Sequence, residues 1–314
     1  MGQGRHAGQE EMRILFNYLI FPGCLFSAVV GLVAGWVDRK VTARVQWRVG
    51  PPWYQNFVDL LKLLGKETIL PKNNKITFLF APFAGLLAVT LVATLLGKLL
   101  MNPAQSFLGD LIVVLYLLVI PAISIILGAS ASENPLASVG ASREMKLVLA
   151  YELPFILAVA TVIIKSGASI KLGQIVALQA ANGAVVGSLS GLAAFIVAIL
   201  CMQAKLGLVP FDVSEAEQEI MGGAMIEYSG FLLAIFKLMK AMLLYVMPLF
   251  LISLFWSANT GIYSLIGKYV LLLVVIILVR NTSPRVRIDQ AMKFFWGPVT
   301  ALAMIAVILA LLGL

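Results

Sequence analysis

The sequence predicts an all-α integral membrane protein, with eight transmembrane helices, several of them kinked, and interfacial amphipathic helices in its cytoplasmic loops. Three observations carry that reading. Of 314 residues, 61% are hydrophobic and only 12% charged, about half the charged share of an ordinary soluble domain. Apolar runs of the roughly 20 residues that cross a bilayer core recur from Ile14 to the last residue. Prolines stand inside these runs at Pro82, Pro121, Pro154 and Pro248. Each removes a backbone hydrogen bond and bends a helix, and a neighbour or water must satisfy the freed carbonyl.

Hydropathy places the spans at 14–37, 76–101, 107–130, 148–166, 187–206, 229–256, 262–280 and 296–314. The polar leader, residues 1–13, carries Glu10 and Glu11 beside Arg5 and Arg13. With so mixed a charge before a run long enough to span, the first helix reads as retained rather than as a cleaved signal. The loops 38–75, 131–147, 207–228 and 281–295 share one face. Fifteen Lys and Arg residues lie on or beside that face and six on the other, so the positive-inside rule makes the first face cytoplasmic and puts both termini outside. No linker divides the chain, and 1–314 reads as a single membrane domain in the cell membrane. This topology accounts for the net charge of +8, and no nucleic-acid partner is implied.

Cys24 and Cys201 stand far apart in apolar stretches, and the sole histidine, His6, lies in the leader. Neither cysteine belongs to a CxxC pair. Haem, Cys-ligated clusters and His-based metal sites are therefore not expected in this chain, and electron transfer belongs to partners.

The polar residues that hydropathy leaves unexplained fall into three groups. In the first loop Phe57, Leu60, Leu61 and Leu64 alternate with Asp59, Lys62 and Lys66 so as to give a helix two faces. It should lie in the interface, as a lipid anchor or as a gasket under a docked partner. The loop between spans five and six carries Asp212, Glu215, Glu217, Glu219 and Glu227, five carboxylates within sixteen residues. Ser214 and Glu217 form a capping-box pattern, and the rest reads either as an exposed acidic patch or as a sequestered cluster able to exchange protons near neutral pH. Within the spans, Asp110, Glu152, Lys237 and Lys240 are ionisable. A charge near the bilayer centre costs roughly 2.5–3.5 kcal/mol on insertion scales and usually faces a bundle interior or a water path. The lysines, three apart on one helix face, could instead snorkel, and Asp110 could simply cap span three. Glu152 resists such explanations, because Tyr151-Glu-Leu-Pro154 sets it where proline loosens the helix.

At these residues the chain resembles the heel subunit of respiratory complex I, the NuoH type, and its relatives in energy-converting nickel–iron hydrogenases. The matching stretches are DRKVTARVQWRVGP (38–51) with DLLKLLGKE (59–67), SVGASREMKLVLAYELP (138–154), VPFDVSEAEQEIMGGAMIEYSG (209–230) and SPRVRIDQAMKFFW (283–296). The resemblance implies a site where a cytoplasmic electron-transfer arm docks on a membrane arm, with buried carboxylates opening a polar path towards antiporter-like subunits. Glu152, Asp212, Glu215, Glu217, Glu219 and Glu227 fall on its acidic motifs, and Lys237 and Lys240 join them as ion-coupling candidates. Arg44, Arg48, Arg285 and Arg287 fall on the basic docking motifs. Asp59, Lys62 and Glu67 fall on the interfacial helix, and Arg143 and Asp289 complete the docking set. One departure stands out: quinone-reducing members carry AETNRAPFD where this chain has Ala204-Lys-Leu-Gly-Leu-Val-Pro-Phe-Asp212. Lys205 and Leu208 replace a Glu and an Arg, which weakens the case for a quinone.

The expected function is thus a membrane-anchor and coupling subunit, not itself catalytic, in a ferredoxin-dependent membrane-bound hydrogenase or a sulfane sulfur reductase. It holds no cofactor. Iron–sulfur clusters, and in the hydrogenase case a nickel–iron (NiFe) centre, belong to partners: cytoplasmic cluster-bearing and hydrogenase-like subunits, with antiporter-like subunits beside it in the bilayer. One alternative is the quinone-binding heel of an NADH- or ferredoxin:quinone oxidoreductase. Another, from a different class, is a stand-alone ion or solute transporter, supported by broken helices and intramembrane charges.

Overall fold

The computed structural model describes residues 12–257 and 261–314, apart from the side chains at 105, 217 and 218; most of the expected leader lies outside these residues. The regular structure within them is helical throughout. Seven helices are long and apolar enough to cross a membrane: α1 (Met12–Val45, interrupted at 20–23), α3 (Lys75–Met101), α4 (Asp110–Ala131), α5 (Pro135–Lys165), α9 (Gly230–Phe255), α10 (Ile262–Thr282) and α11 (Ile288–Leu311). Four shorter ones complete the order: α2 (Gln55–Leu64), α6 (Leu172–Asn182), α7 (Leu189–Lys205) and α8 (Glu217–Ile220). The eighth expected span, 187–206, is α7. It is shorter than a bilayer crossing calls for, but it packs between α5 and α11 with Ala194, Val197, Ala198, Cys201 and Met202 buried.

The core forms around α9, which is 78% buried over its most apolar stretch and packs against α1 and α3. Gly31 makes the α1 contact possible, since a Cβ there would stand 2.2 Å from the Ala241 carbonyl oxygen. Close approach at a small residue is how membrane helices gain packing that hydrophobicity alone does not supply between them. On the outside of the bundle, α10 has 22% of its apolar stretch covered.

Several boundaries differ from expectation, and each difference has a local cause. Residues 131–147, expected as a loop, are mostly the first turns of α5. The Asn134 side chain accepts a hydrogen bond from the Leu136 N–H at 2.9 Å and Pro135 takes the first helical position, a strong start signal. Hydropathy passed over it because Ser138, Ser142, Arg143 and Lys146 lower the average. In the first loop, α1 continues to Val45, so Asp38, Arg39, Lys40 and Arg44 ride on a helix. The expected loop 281–295 narrows to 283–287, because α10 ends at Thr282 and α11 starts at Ile288. Pro298 sits in a wide turn of α11, Phe295–Val299, where the Thr300 hydroxyl donates to the Phe295 carbonyl at 2.6 Å; such a turn absorbs the hydrogen bond that proline removes. Finally, Ser214 caps nothing: α8 begins at Glu217 with Ala216 in the cap position, two residues later than a Ser214–Glu217 box requires.

Candidate functional site

Charged side chains from four helices meet at the end of the bundle covered by the loops 46–54, 65–74 and 206–229. The last turns of α1 bring Asp38 and Arg39, α2 brings Asn56 and Asp59, α9 brings Lys237 and Lys240 from one face, and α10 brings Arg280. With Glu215 they line a cavity of about 470 Å³ whose apolar wall includes Leu32, Leu206 and Leu244.

The charges are paired. Arg280 donates to Asp38, and Lys240 to Glu215. Arg39 reaches Asn56 at 2.7 Å and Asp59 at 3.2 Å. Asp38 is 4% exposed, and its Oδ1 has no partner among the described residues. Asp59 lies below its ordinary carboxylate value: partial burial pushes it up, but hydrogen bonds from Gln55 and Arg39 and the charges of Arg39 and Lys237 outweigh that.

A second cluster lies deeper, behind Leu206, Gly207 and Lys240, which line both spaces. Lys205, at the end of α7, donates to Glu152 of α5 with its side chain 3% exposed. Its ammonium sits 5.1 Å from the Tyr151 ring centroid and 4.9 Å from that of Phe155, within cation–π range. Charges so far from water are tolerated because they are paired, and removing one partner of such a pair typically costs about 3–5 kcal/mol. Between the two clusters lies Glu144 of α5, 6% exposed, with the Ser214 side chain placed to hydrogen-bond to it.

The acidic loop divides between the two readings its sequence allowed. Glu215 turns into the cavity. Asp212 is half-buried, bonded to Arg285 at 3.0 Å. Burial raises its carboxyl above the usual range, the Arg285 guanidinium opposes this, and Glu215 adds to the rise. Glu219 is exposed and bonds Arg143 at 2.6 Å, and Glu227 is exposed and accepts from the Asn134 amide at 2.6 Å. Glu217 starts α8. Gly140 lets this loop lie against α5, since a Cβ there would meet the Ala224 nitrogen at 2.5 Å.

Of the expected docking residues, Arg143, Arg285 and Asp59 thus have partners inside the chain, while Arg44, Arg48, Lys62, Glu67, Arg287 and Asp289 are exposed. Asp110 is buried, accepting the Leu172 N–H at 2.7 Å far from this site. Among the described residues no three His, Cys, Asp or Glu side chains converge as a metal site requires.

Sequence reasoning omitted Asp38, Glu144 and Arg280 and gave Lys205 no role. Glu144 was legible in principle. It shares a helix face with Ala137, Ala141, Leu147, Val148, Tyr151 and Phe155, all buried, and an acid on an apolar stripe is the anomaly to look for.

The family model described as NADH dehydrogenase matches residues 18–311. The chain belongs to this NuoH-type family. It is 32% identical to the H-type subunit of the NADH-quinone oxidoreductase of Anoxybacillus flavithermus, over 90% of this chain and 89% of that one. With the corresponding chain of Thermomicrobium roseum it shares 32% identity over 94% and 95%. Among solved structures, a chain of the membrane-bound sulfane sulfur reductase, described as an archaeal respiratory membrane complex, superposes with a TM-score of 0.84 and 33% identity, covering 95% of this chain and 99% of that one. The protein is therefore a NuoH-like, multi-pass membrane subunit of a complex-I-like respiratory complex.

The relatives' names bring a quinone into question. A quinone of membrane type needs an apolar sleeve for its tail, as ligand pockets are predominantly apolar. Seven ionisable side chains line the larger cavity, and at the positions of the quinone-type motif stand Lys205, engaged in a buried ion pair, and the apolar Leu208. These residues do not make a fitting quinone site.

Proposed function

We propose that this chain is the coupling subunit of a ferredoxin-dependent membrane-bound hydrogenase or sulfane sulfur reductase, converting events in a docked redox module into ion movement in neighbouring antiporter-like subunits. The observation that carries this reading is the row of paired charges leading inward from the loop end, part-exposed along its length but with Asp38 and Lys205 buried: Asp38–Arg280, Glu215–Lys240, then Lys205–Glu152. Ion pairs held away from water respond strongly to a charge placed or removed nearby, because little solvent screens them. A redox change in a subunit seated over Arg44, Arg48 and Arg287 would shift the balance of the outer pairs, and the inner pair would feel it through Lys240 and the Glu144 region. The chain supplies no electron carrier; clusters and any nickel–iron centre belong to partners. The likeness to the sulfane sulfur reductase chain, together with Lys205 and Leu208, favours this branch over a quinone reductase.

The test is made in the purified complex. A variant with Glu152→Gln and Lys205→Met together removes the inner pair without stranding a charge. Redox turnover should persist while ion movement per electron falls about tenfold or more, a loss of roughly 1.4 kcal/mol of coupling. Undiminished ion movement would remove the reason for choosing these residues. Identifying the large co-purifying subunit separates hydrogenase from sulfur reductase by the presence or absence of four nickel-ligating cysteines. The second reading, a quinone-binding heel, is favoured by the relatives' names; electron transfer from the purified complex to an added quinone would put it first.

A further inference from the structure

Lys237 is the cation that the ion pairs leave over. In the larger cavity Arg39 has Asp59, Lys240 has Glu215 and Arg280 has Asp38. Lys237 lines the same cavity but is in none of the ion pairs formed by the described residues. Asp59, whose carboxylate feels the charge of Lys237, is already taken by Arg39 and Gln55. The cavity wall therefore carries one positive charge in excess. Lys237 also marks an opening in the packing. Along α9, the most buried of the seven long helices, only Phe231 and Lys237 are exposed. Lys237 lies about two turns in from the loop end of that helix. At this level a side-chain cation reaches either water or the polar layer of the bilayer, because a bare charge against hydrocarbon is costly.

A second recess shows which of these suits it. Lys237 also borders a space of about 190 Å³ that Glu215 and Lys240 share with the first, and whose remaining wall is Gly222, Met225, Leu233 and Phe236. One side of Lys237 is thus lined by charges and the other mainly by apolar side chains. A small soluble anion would answer the charge and leave the apolar recess unfilled, whereas an amphiphile with an anionic head fits both. We propose that the two recesses form a binding site for an anionic phospholipid, with its phosphate on Lys237 and part of an acyl chain along Met225, Leu233 and Phe236. The phosphate oxygen accepts a charge-assisted hydrogen bond from the ammonium, a contact of about 2.7–2.9 Å, and offsets the excess charge without breaking any of the three pairs. The objection raised against a quinone does not apply, since only the head and the start of one chain enter and the rest of the lipid stays in the bilayer. The site does not depend on the coupling role. It ties the seam between α2 and α9 to the membrane whether or not ions move.

The experiment uses the purified complex, stripped of loosely held lipid in detergent and then titrated with phosphatidylglycerol, phosphatidylcholine or inorganic phosphate. Native mass spectrometry reads the lipid retained on this subunit. The wild type should hold one phosphatidylglycerol, bind phosphatidylcholine at least tenfold more weakly and keep its lipid against inorganic phosphate at matched concentration. Lys237→Met removes the charge but keeps an apolar stem, and should weaken phosphatidylglycerol binding tenfold or more, as expected for loss of a hydrogen bond to a charged group. Lys72→Met, at an exposed lysine in the loop 65–74, should leave binding unchanged. Equal binding by wild type and Lys237→Met overturns the proposal, and so does an equal loss in both variants. Displacement by inorganic phosphate makes this a site for a soluble anion and overturns the lipid. If Lys237→Met does not assemble, the wild type decides alone. A density map of the complex in phosphatidylglycerol nanodiscs should show a phosphate-sized feature on the Lys237 Nζ, continuous with a chain beside Phe236. Recesses filled by water or by a partner's side chains overturn the site. None of these readings involves ion movement, so failure of the coupling role is seen separately, in the Glu152→Gln, Lys205→Met complex.

Discussion

The two ends of the helix bundle use their charged side chains in opposite ways. At the end away from the acidic loop, polar side chains satisfy backbone. Asp110 accepts the Leu172 N–H at 2.7 Å. Gln179 donates to the Leu254 carbonyl and accepts the Ser257 N–H, both at 2.8 Å, and Lys268 donates to the Trp256 carbonyl at 2.9 Å. These groups close helix ends that lipid could not satisfy, and moving any of them orphans a peptide group. At the acidic-loop end Gln203 and Asn56 also serve backbone carbonyls, each at 2.8 Å, but the charged groups satisfy one another: Arg280 with Asp38, Lys240 with Glu215, Lys205 with Glu152. A long side chain can trade one carboxylate for another without breaking a helix, so only this end can carry a change of state. Burial of charge alone therefore does not mark function; what the charge is bonded to does.

The largest effect expected from breaking this contrast is at the inner pair. Glu152→Gln or Lys205→Met alone strands a buried charge, and each should lower the stability of the subunit by about 3–5 kcal/mol. Together they strand nothing and should cost much less than their sum, a non-additivity that thermal dissociation of the complex would measure as a double-mutant cycle. Equal costs for the double variant and the summed singles would mean that the two groups are not coupled, and the proposed relay would lose its innermost step.

A smaller effect is expected at the other end, and of a different kind. Gln179→Ala leaves the Leu254 carbonyl and the Ser257 N–H without their partner and should destabilise by about 1–3 kcal/mol, read as earlier thermal dissociation. Ions moved per electron should not change. If the ratio did change, the division of labour between the two ends would be wrong, since a backbone-capping amide would then be part of the coupling.

The same contrast explains what could be read from the sequence. Regular apolar runs gave the helices of the lipid-facing bundle well: 76–101 against Lys75–Met101, and 229–256 against Gly230–Phe255. The amphipathic segment after the first span is there as α2. What hydropathy missed is where polar residues are buried by pairing, because a window average assigns Arg143, Glu144 and Lys146 to a loop whatever they contact. Asn134-Pro135 and the apolar stripe through Glu144 held that information locally. The pairs Asp38–Arg280 and Lys205–Glu152 did not: their members are 242 and 53 residues apart, and only the packing of α1 on α10 and α5 on α7 brings them together. For the acidic loop, spacing allowed both an exposed and a sequestered cluster, and the fold gives some of each because α8 turns Glu219 outward while Glu215 precedes that turn.

The smallest effect sharpens the comparison at the rim, where paired charges meet water. Asp212 bonds Arg285, and the Val286 N–H beside it donates to the Pro210 carbonyl at 3.1 Å, so the acidic loop and the segment 283–287 close on each other. Burial raises the Asp212 carboxyl above its ordinary value of 3.8, with Arg285 opposing. The closed form therefore holds a proton that the open loop gives up. Between 3.8 and the raised value the closed form binds more protons, so closure weakens as pH rises through that window and levels off above it. Hydrogen exchange at Val286 should accelerate across the window by more than base catalysis alone accounts for. Asp212→Asn cannot titrate, so it should remove the excess and leave the ordinary slope. An unchanged profile in Asp212→Asn would place the pH response in another group. It would also imply that a half-exposed ion pair at the rim behaves as a solvated contact, leaving state changes to the buried pairs beneath it.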